Sequence, residues 1–251
     1  MSDSEQRRYD LEQRRYDVAM SVEALAAAWA RTENAPAGSV VIAETEVAAR
    51  LRGGVPWKLA GPQALSMAVV LRPNIAPMQE ALLWAAASLG VAEAITTTAG
   101  TEYGVVWPDG VTRSAEESPS CSVNVLTQLR PGAIDHVVVS VRADLEALAI
   151  ESTEPSRAAL VSAISAALGR TVGQLEDDPV ALLESFTDVC LIMDQSVQVK
   201  LLPRGEARGR VTAVDRDGFL VLESSTGMLE RIAPASLRSL QLADSPSTEL
   251  R

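Results

Sequence analysis

The segment Pro77–Ile95 (PMQEALLWAAASLGVAEAI) places the tightest limit on what this chain can become. Its periodicity predicts a helix, with Pro77 at the start, where a missing N–H costs nothing. The helix is apolar on nearly every face, so it has no side to give to water and must be enclosed by other elements. A chain of 251 residues can enclose it in one large body, or in a body with a small appendix.

The surrounding elements follow from local patterns. Ser21–Arg31 predicts a short helix capped by Ser21, with Leu25, Ala28 and Trp29 on one face. Ser39–Glu44 and Ala64–Leu71 read as strands, the second closed by Arg72-Pro73. Gly104–Trp107, Ser122–Leu129 and Ile134–Val141 are further strands. Turns at Pro108-Asp109-Gly110 and Arg130-Pro131-Gly132 separate them, and the last two form a hairpin. Pro155–Leu168 and Pro179–Cys190 are amphipathic helices. From Ser196 the character changes. SVQVKLL, ARGRVTAV, GFLVLE and MLERIA are short strands parted by PRGE, DRDG and SSTG, the pattern of a small barrel.

The first 18 residues are charged and carry EQRRYD twice, at 5–10 and 12–17. The seven-residue offset would put both copies on one face of a helix, so a solvated helix or a disordered arm is expected. A partner-binding arm is the alternative.

Composition narrows the function classes. With 22 basic against 33 acidic residues the net charge is −11, which argues against a nucleic-acid backbone as partner. No apolar run approaches the roughly 20 residues that cross a bilayer, so no membrane partner is expected. The N-terminus has no apolar signal core, and the expected location is cytoplasmic. Cys121 and Cys190 form no C-x-x-C pattern, which excludes a cysteine-based zinc site and suggests a reduced pair. No metal site is expected. His136, the only histidine, lies in the strand-like run IDHVVVSV and reads as a strand residue rather than a general base. Lys58 and Lys200 are the only lysines among the 22 basic side chains, which limits where a catalytic lysine could be.

Several segments share one ordered pattern. Ala43-Glu44-Thr45-Glu46-Val47-Ala48-Ala49-Arg50-Leu51-Arg52-Gly53-Gly54-Val55-Pro56-Trp57 keeps the spacing of A-E-x-Q-T-A-G-R-G-R-x-G-R-x-W. Val106-Trp107-Pro108-Asp109-Gly110-Val111 parallels K-W-P-N-D-V. The strand from Cys121 to Gln128 parallels K-L-A-G-I-L-x-E, and Val138–Asp144 parallels V-x-G-x-G-x-N. With Ser21 near the start and the closing segment 196–240, these residues resemble the biotin protein ligases in the short form without a DNA-binding domain. The resemblance covers roughly residues 19–243. It implies an α+β (α/β) fold: a biotin/lipoate ligase-like catalytic domain, a mixed sheet packed with helices, at 19–192, and an SH3-like β-barrel at 193–243. A charged arm at 1–18 and a tail at 244–251 flank them.

A ligase of this kind joins the biotin carboxylate to the α-phosphate of ATP, and a carrier lysine then attacks the acyl-adenylate. Both reactants are anionic, so the site must supply positive charge and N–H donors at close range. The resemblance gives Arg52 the catalytic role and assigns ligand contacts to Ser21, Arg50, Gly54, Trp57, Trp107 and Asp109. It implies biotin and ATP with magnesium if the protein is active. The implied partners are a biotin carboxyl-carrier domain, an active ligase or a small carboxylate ligand, with a homodimer through the central sheet.

The departures from the pattern fall on charge and on glycine. Ala49 and Leu51 stand where the loop has glycines, and Gly53 where a basic residue is common. Val106 and Cys121 stand where lysines are expected, and Asp109-Gly110 replaces Asn-Asp. Ser140 and Arg142 replace glycines that leave room for ligand, and Val47 replaces a ligand-facing polar residue. The expected function is a pseudo-ligase that binds a ligand or partner without efficient biotinylation. The alternatives are a divergent active ligase and an acyl-adenylate transferase for another carboxylate. The competing roles are surface charge for Arg50 and Arg52, core packing for Trp57 and Trp107, helix capping for Ser21, and an ordinary turn residue for Asp109.

Overall fold

A computed structural model describes residues 12–59 and 61–243. The main sheet holds β1 (Gln13–Ala19), β2 (Val40–Glu46), β3 (Ala64–Leu71), β4 (Gly104–Val106), β5 (Gly110–Thr112), β6 (Cys121–Arg130) and β7 (Ala133–Asp144). Its order is β1-β2-β3-β7-β6-β5-β4. The β1–β2 pair is parallel and the others are antiparallel.

Helix α1 (Val22–Thr32) packs on one face of this sheet. Helices α2 (Leu82–Ala99), α3 (Glu154–Asp177) and α4 (Pro179–Val189) pack on the other. Strand β3 is buried along its whole length, because Leu65, Met67 and Val69 face α2 while Ala68 and Val70 face α1. A strand covered on both sides reads as a continuous apolar run.

The enclosed helix is where the sequence demands it. Every residue of α2 from Leu82 to Ile95 except Glu93 is buried. It begins later than expected, because Pro77–Gln79 form a separate 3-10 turn. By length and composition α2 and α3 could each cross a membrane, which corrects the expectation that no run approaches that length. In α2 that span is 72% buried inside the protein, so its apolar character serves the core. Helix α1 is capped by Ser21 as expected, but its inward face is Val22, Ala26, Trp29 and Ala30.

The second EQRRYD copy is neither helix nor arm. It opens β1, where Arg14 and Tyr16 are half-buried between exposed neighbours and Ala19 is buried. The Arg14 guanidinium stacks over Trp29 at 4.0 Å and reaches Glu33 at 3.0 and 2.6 Å. Alternation with period two, anchored on α1, overrides the seven-residue offset. The first copy lies outside the described residues, as does the expected tail.

The closing unit has five strands: β8 (Ser196–Leu201), β9 (Glu206–Val214), β10 (Leu220–Glu223), β11 (Leu229–Ile232) and β12 (Leu237–Leu242). They pair antiparallel in the order β11-β10-β9-β8-β12. The turn at Gly218 rests on the chain entering α2: a Cβ there would lie 2.9 Å from the Ala81 carbonyl.

Candidate functional site

The face of the main sheet under α1 changes from apolar to polar toward β6. Alternation along β7 sends Val137, Val139 and Val141 to the α2 side and Val138, Ser140 and Arg142 to the α1 side. Register then sets two cross-strand rows, Ser66–Arg142–Ser122 and Ala68–Ser140–Asn124. Arg142 is therefore fixed in mid-strand with β3 and β6 on either side.

Around Arg142 the chain builds a closed polar network. Its Nε donates to Glu46 Oε2 at 2.9 Å and its Nη2 to Oε1 at 2.8 Å. The Arg142 and Glu46 side chains are only 2% and 1% exposed. The Val22 N–H, at the first position of α1, donates to Glu46 Oε1 at 2.9 Å. This is the positive end of the helix, which favours a carboxylate. Arg142 Nη1 donates to Ser140 Oγ at 3.1 Å. Ser140 Oγ donates to Glu23 Oε2 at 2.9 Å, and Asn124 Nδ2 donates to the same oxygen at 2.5 Å. Two carboxylates meet one guanidinium here, so the network is acidic overall.

The second cluster lies on the loop after β2. Arg50 bridges to Pro56, and its Nη1 donates to the Gly54 carbonyl at 2.9 Å. The left-handed backbone of the loop falls at Gly53 and Gly54, with φ of 68° and 79°. Ala49 and Leu51, where glycines were expected, are not in left-handed conformation, so their β-carbons cost nothing there. Arg52 Nε donates to Asp109 Oδ2 at 3.0 Å and its Nη2 to Oδ1 at 3.3 Å. Its Nη1 donates to the carbonyl of Leu237 at the start of β12. One guanidinium thus ties the loop to the β4–β5 turn and to the closing unit. Burial pushes the Asp109 carboxyl above its ordinary value, against the opposing pull of Arg52.

The other expected residues are dispersed. Ser21 accepts from the Ala24 N–H at 3.2 Å as the cap of α1. Trp107 is 1% exposed and packs in the core. The Trp57 N–H donates to the Ala49 carbonyl at 2.9 Å, and its indole N–H has no partner among the described residues. Lys58 is exposed. Cys121 faces the core, so its neighbour Ser122 is the residue of that strand on the α1 face. Both cysteines are free and buried, and His136 is a buried residue of β7 beside Asp135. No group of three or more potential metal ligands occurs among the described residues.

Three site residues escaped the sequence reading: Glu23, Glu46 and Asn124. Val47, expected to face ligand, is 59% exposed, and its neighbour Glu46 points inward instead. Glu23 carries the ordinary signature of an acidic first helical turn, which hides its second role.

Comparison with known proteins bears on both units. The model of the biotin protein ligase C-terminal domain matches residues 192–236. The biotin protein ligase of Aquifex aeolicus, solved with biotin and ATP, superposes with a TM-score of 0.70 over 92% of this chain and 99% of that one, at 16% identity. The chain therefore has the fold of the biotin protein ligases, and its closing unit matches that family's C-terminal domain. Its α+β body is the ligase catalytic fold, and its five-stranded end is the SH3-like domain of that family. A biotin protein ligase-like protein of unknown function from Silicibacter sp. TM1040 also superposes, with a TM-score of 0.66 at 15% identity over 89% and 94% of the two chains. In sequence, the chain is 27% identical over 97 residues to the bifunctional ligase/repressor BirA of Bacillus spizizenii. That match spans 39% of this chain and 29% of the relative.

Proposed function

We propose that this chain is a pseudo-ligase of the biotin protein ligase family, which binds a ligand or protein partner without efficient biotinylation. One observation carries the reading: the buried Glu46–Arg142 pair. The family resemblance places small glycines at positions 140 and 142 to leave room for ligand. Here Ser140 and Arg142 fill that face and are bonded to Glu46 and Glu23. The second support is electrostatic. Biotin carboxylate and triphosphate need free positive charge, and Arg52 is already engaged by Asp109. Losing one well-placed donor typically costs a factor of about 10²–10³ in rate. The losses fall in one site and do not simply add.

The partners of this reading are a biotin carboxyl-carrier domain, an active ligase, a second copy of the chain, or a small carboxylate. A cytoplasmic location agrees with the two free thiols. A divergent active ligase is the second reading. Gly53 and Gly54 favour it, since they give the loop its left-handed backbone, and so does exposed Arg50. In that case the loop from Arg50 to Gly54 would hold the phosphates.

The test is titration calorimetry with biotin, ATP and a non-hydrolysable biotinyl-adenylate analogue, followed by intact-mass analysis of a carrier domain incubated with protein, biotin, ATP and magnesium. No carrier mass gain is expected. A stoichiometric biotin adduct on the carrier lysine would overturn the reading.

A further inference from the structure

We propose that Arg142 anchors a binding site for a small carboxylate, that the chain's own Glu46 occupies this site, and that an external carboxylate takes Glu46's place. This goes beyond the pseudo-ligase reading and rests on it only for the absence of biotin from the same face.

The Glu46 carboxylate is held as a bound ligand would be. Both oxygens face the fork of one guanidinium at 2.9 and 2.8 Å, and one of them also takes the first N–H of α1 at 2.9 Å. This is bidentate recognition with a third directional donor.

The two partners differ in freedom. Arg142 lies in the middle of β7 between β3 and β6, and its Nη1 is pinned by Ser140. Its backbone is held on both sides, and its guanidinium is fastened at all three nitrogens. Glu46 is the last residue of β2, followed at once by exposed Val47 and the loop that carries Gly53 and Gly54. Its backbone stays paired with Ala19, while rotation about its side-chain bonds turns the carboxylate outward. The cation is fixed and the anion is tethered at a strand end.

An independent observation marks the place as a ligand site. Ser66 and Ser122 flank Arg142 in register on the two neighbouring strands, and their residues are 5% and 9% exposed. Neither hydroxyl bonds to another described residue, and neither is among the fully buried oxygens left without a partner, so both retain a small accessible surface. Two nearly buried hydroxyls beside a buried guanidinium offer further contacts to an entering carboxylate. Glu46 presents a carboxylate on two methylenes, and a slim aliphatic monocarboxylate such as butanoate matches it to within one carbon.

The experiment is titration of the wild-type protein and of Glu46→Gln with butanoate, with butylamine as the control. Removing the internal competitor should tighten butanoate binding by at least tenfold, while butylamine binds neither protein. Arg142→Met should abolish binding. If that variant does not fold, the Arg142 Nε–H resonance of Glu46→Gln reports instead, and it should shift on butanoate addition. Absence of butanoate binding to Glu46→Gln, or an unmoved Arg142 resonance, would overturn the site. Binding to Glu46→Gln with none to the wild type would overturn displacement and leave Glu46 a fixed structural partner. None of these results bears on the carrier mass assay, so the two readings fail separately.

Discussion

Unequal freedom of the two partners makes the stability cost of breaking the buried pair depend on which side is removed. Glu46→Leu leaves Arg142 in mid-strand, 2% exposed, with Ser140 as its remaining partner. An uncompensated buried charge of this kind costs about 3–5 kcal/mol. Arg142→Met fills much of the same space with an apolar stem and releases Glu46, whose side chain reaches water from the end of β2. What is lost is a pair of charge-assisted bonds, and the Val22 N–H, on a fully buried residue, loses its acceptor, at a cost of about 1–3 kcal/mol. The double variant leaves neither charge buried and should be less destabilised than Glu46→Leu alone. Urea unfolding followed by far-UV circular dichroism measures all three, with an unchanged slope as the sign of an unchanged fold. At about 2–4 °C per kcal/mol for a chain of this length, Glu46→Leu should melt roughly 6–20 °C lower. Arg142→Met should melt roughly 2–12 °C lower, less than Glu46→Leu in a side-by-side comparison. Equal costs, or a larger cost for Arg142→Met, would refute the picture of a fixed cation and a movable anion.

Two further outcomes follow from the contacts. Asp109 holds its proton to a higher pH folded than unfolded, because burial raises it above an ordinary value of 3.8. The native state then binds more protons across that window, so its contribution to stability is present below pH 3.8 and is lost as pH rises through the raised value. Urea midpoints of wild type and Asp109→Asn, compared from about pH 4 upward, should shift in favour of the variant as pH rises; a flat difference would contradict the effect of burial on this carboxyl. Gly218→Ala combines a φ of 83° with a Cβ placed 2.9 Å from the Ala81 carbonyl, so it should destabilise by about 1–3 kcal/mol. Hydrogen exchange should rise both in the 215–219 turn and at the start of α2, and exchange rising in the turn alone would refute the contact.

What the sequence reveals and what it hides follow one physical division. Helix α2, strand β3 and the closing strands were legible because their signals are local: an all-apolar helix, a doubly buried strand, turns at even spacing. Strand β1 was not, since a charged hexapeptide becomes a strand only through Trp29, Glu33 and β2, all distant in sequence. Strand β5 has three residues and β12 follows a 3-10 turn, too little pattern to register. In the site, Ser140 and Arg142 were visible as departures from a spacing, but their partner was not. Alternation along β2 puts Val41 and Ala43 toward α1 and would send Glu46 to the opposite face. Glu46 escapes that rule because the strand ends there.

The same division explains why the loop motif misled in one respect and not in another. Its glycines were sought at 49 and 51, yet the left-handed residues are Gly53 and Gly54, so the substitutions at 49 and 51 fall where no left-handed backbone is required. What changed is the state of its charges. Arg142 faces Glu46, and Arg52 faces Asp109. An incoming anion must therefore displace an internal carboxylate before it meets a guanidinium. Asp109 cannot yield easily: it sits in a tight turn, and Arg52 is also fastened to β12. Glu46 sits at a strand end and can. Adenylation brings an anionic carboxylate together with a triphosphate and so calls for free positive charge at more than one place, whereas a short monocarboxylate calls for one guanidinium. On the proposed readings, the internal acids would oppose the family's reaction and leave one place on the sheet for a small acid, and the carrier mass assay and the butanoate titration test these two halves separately.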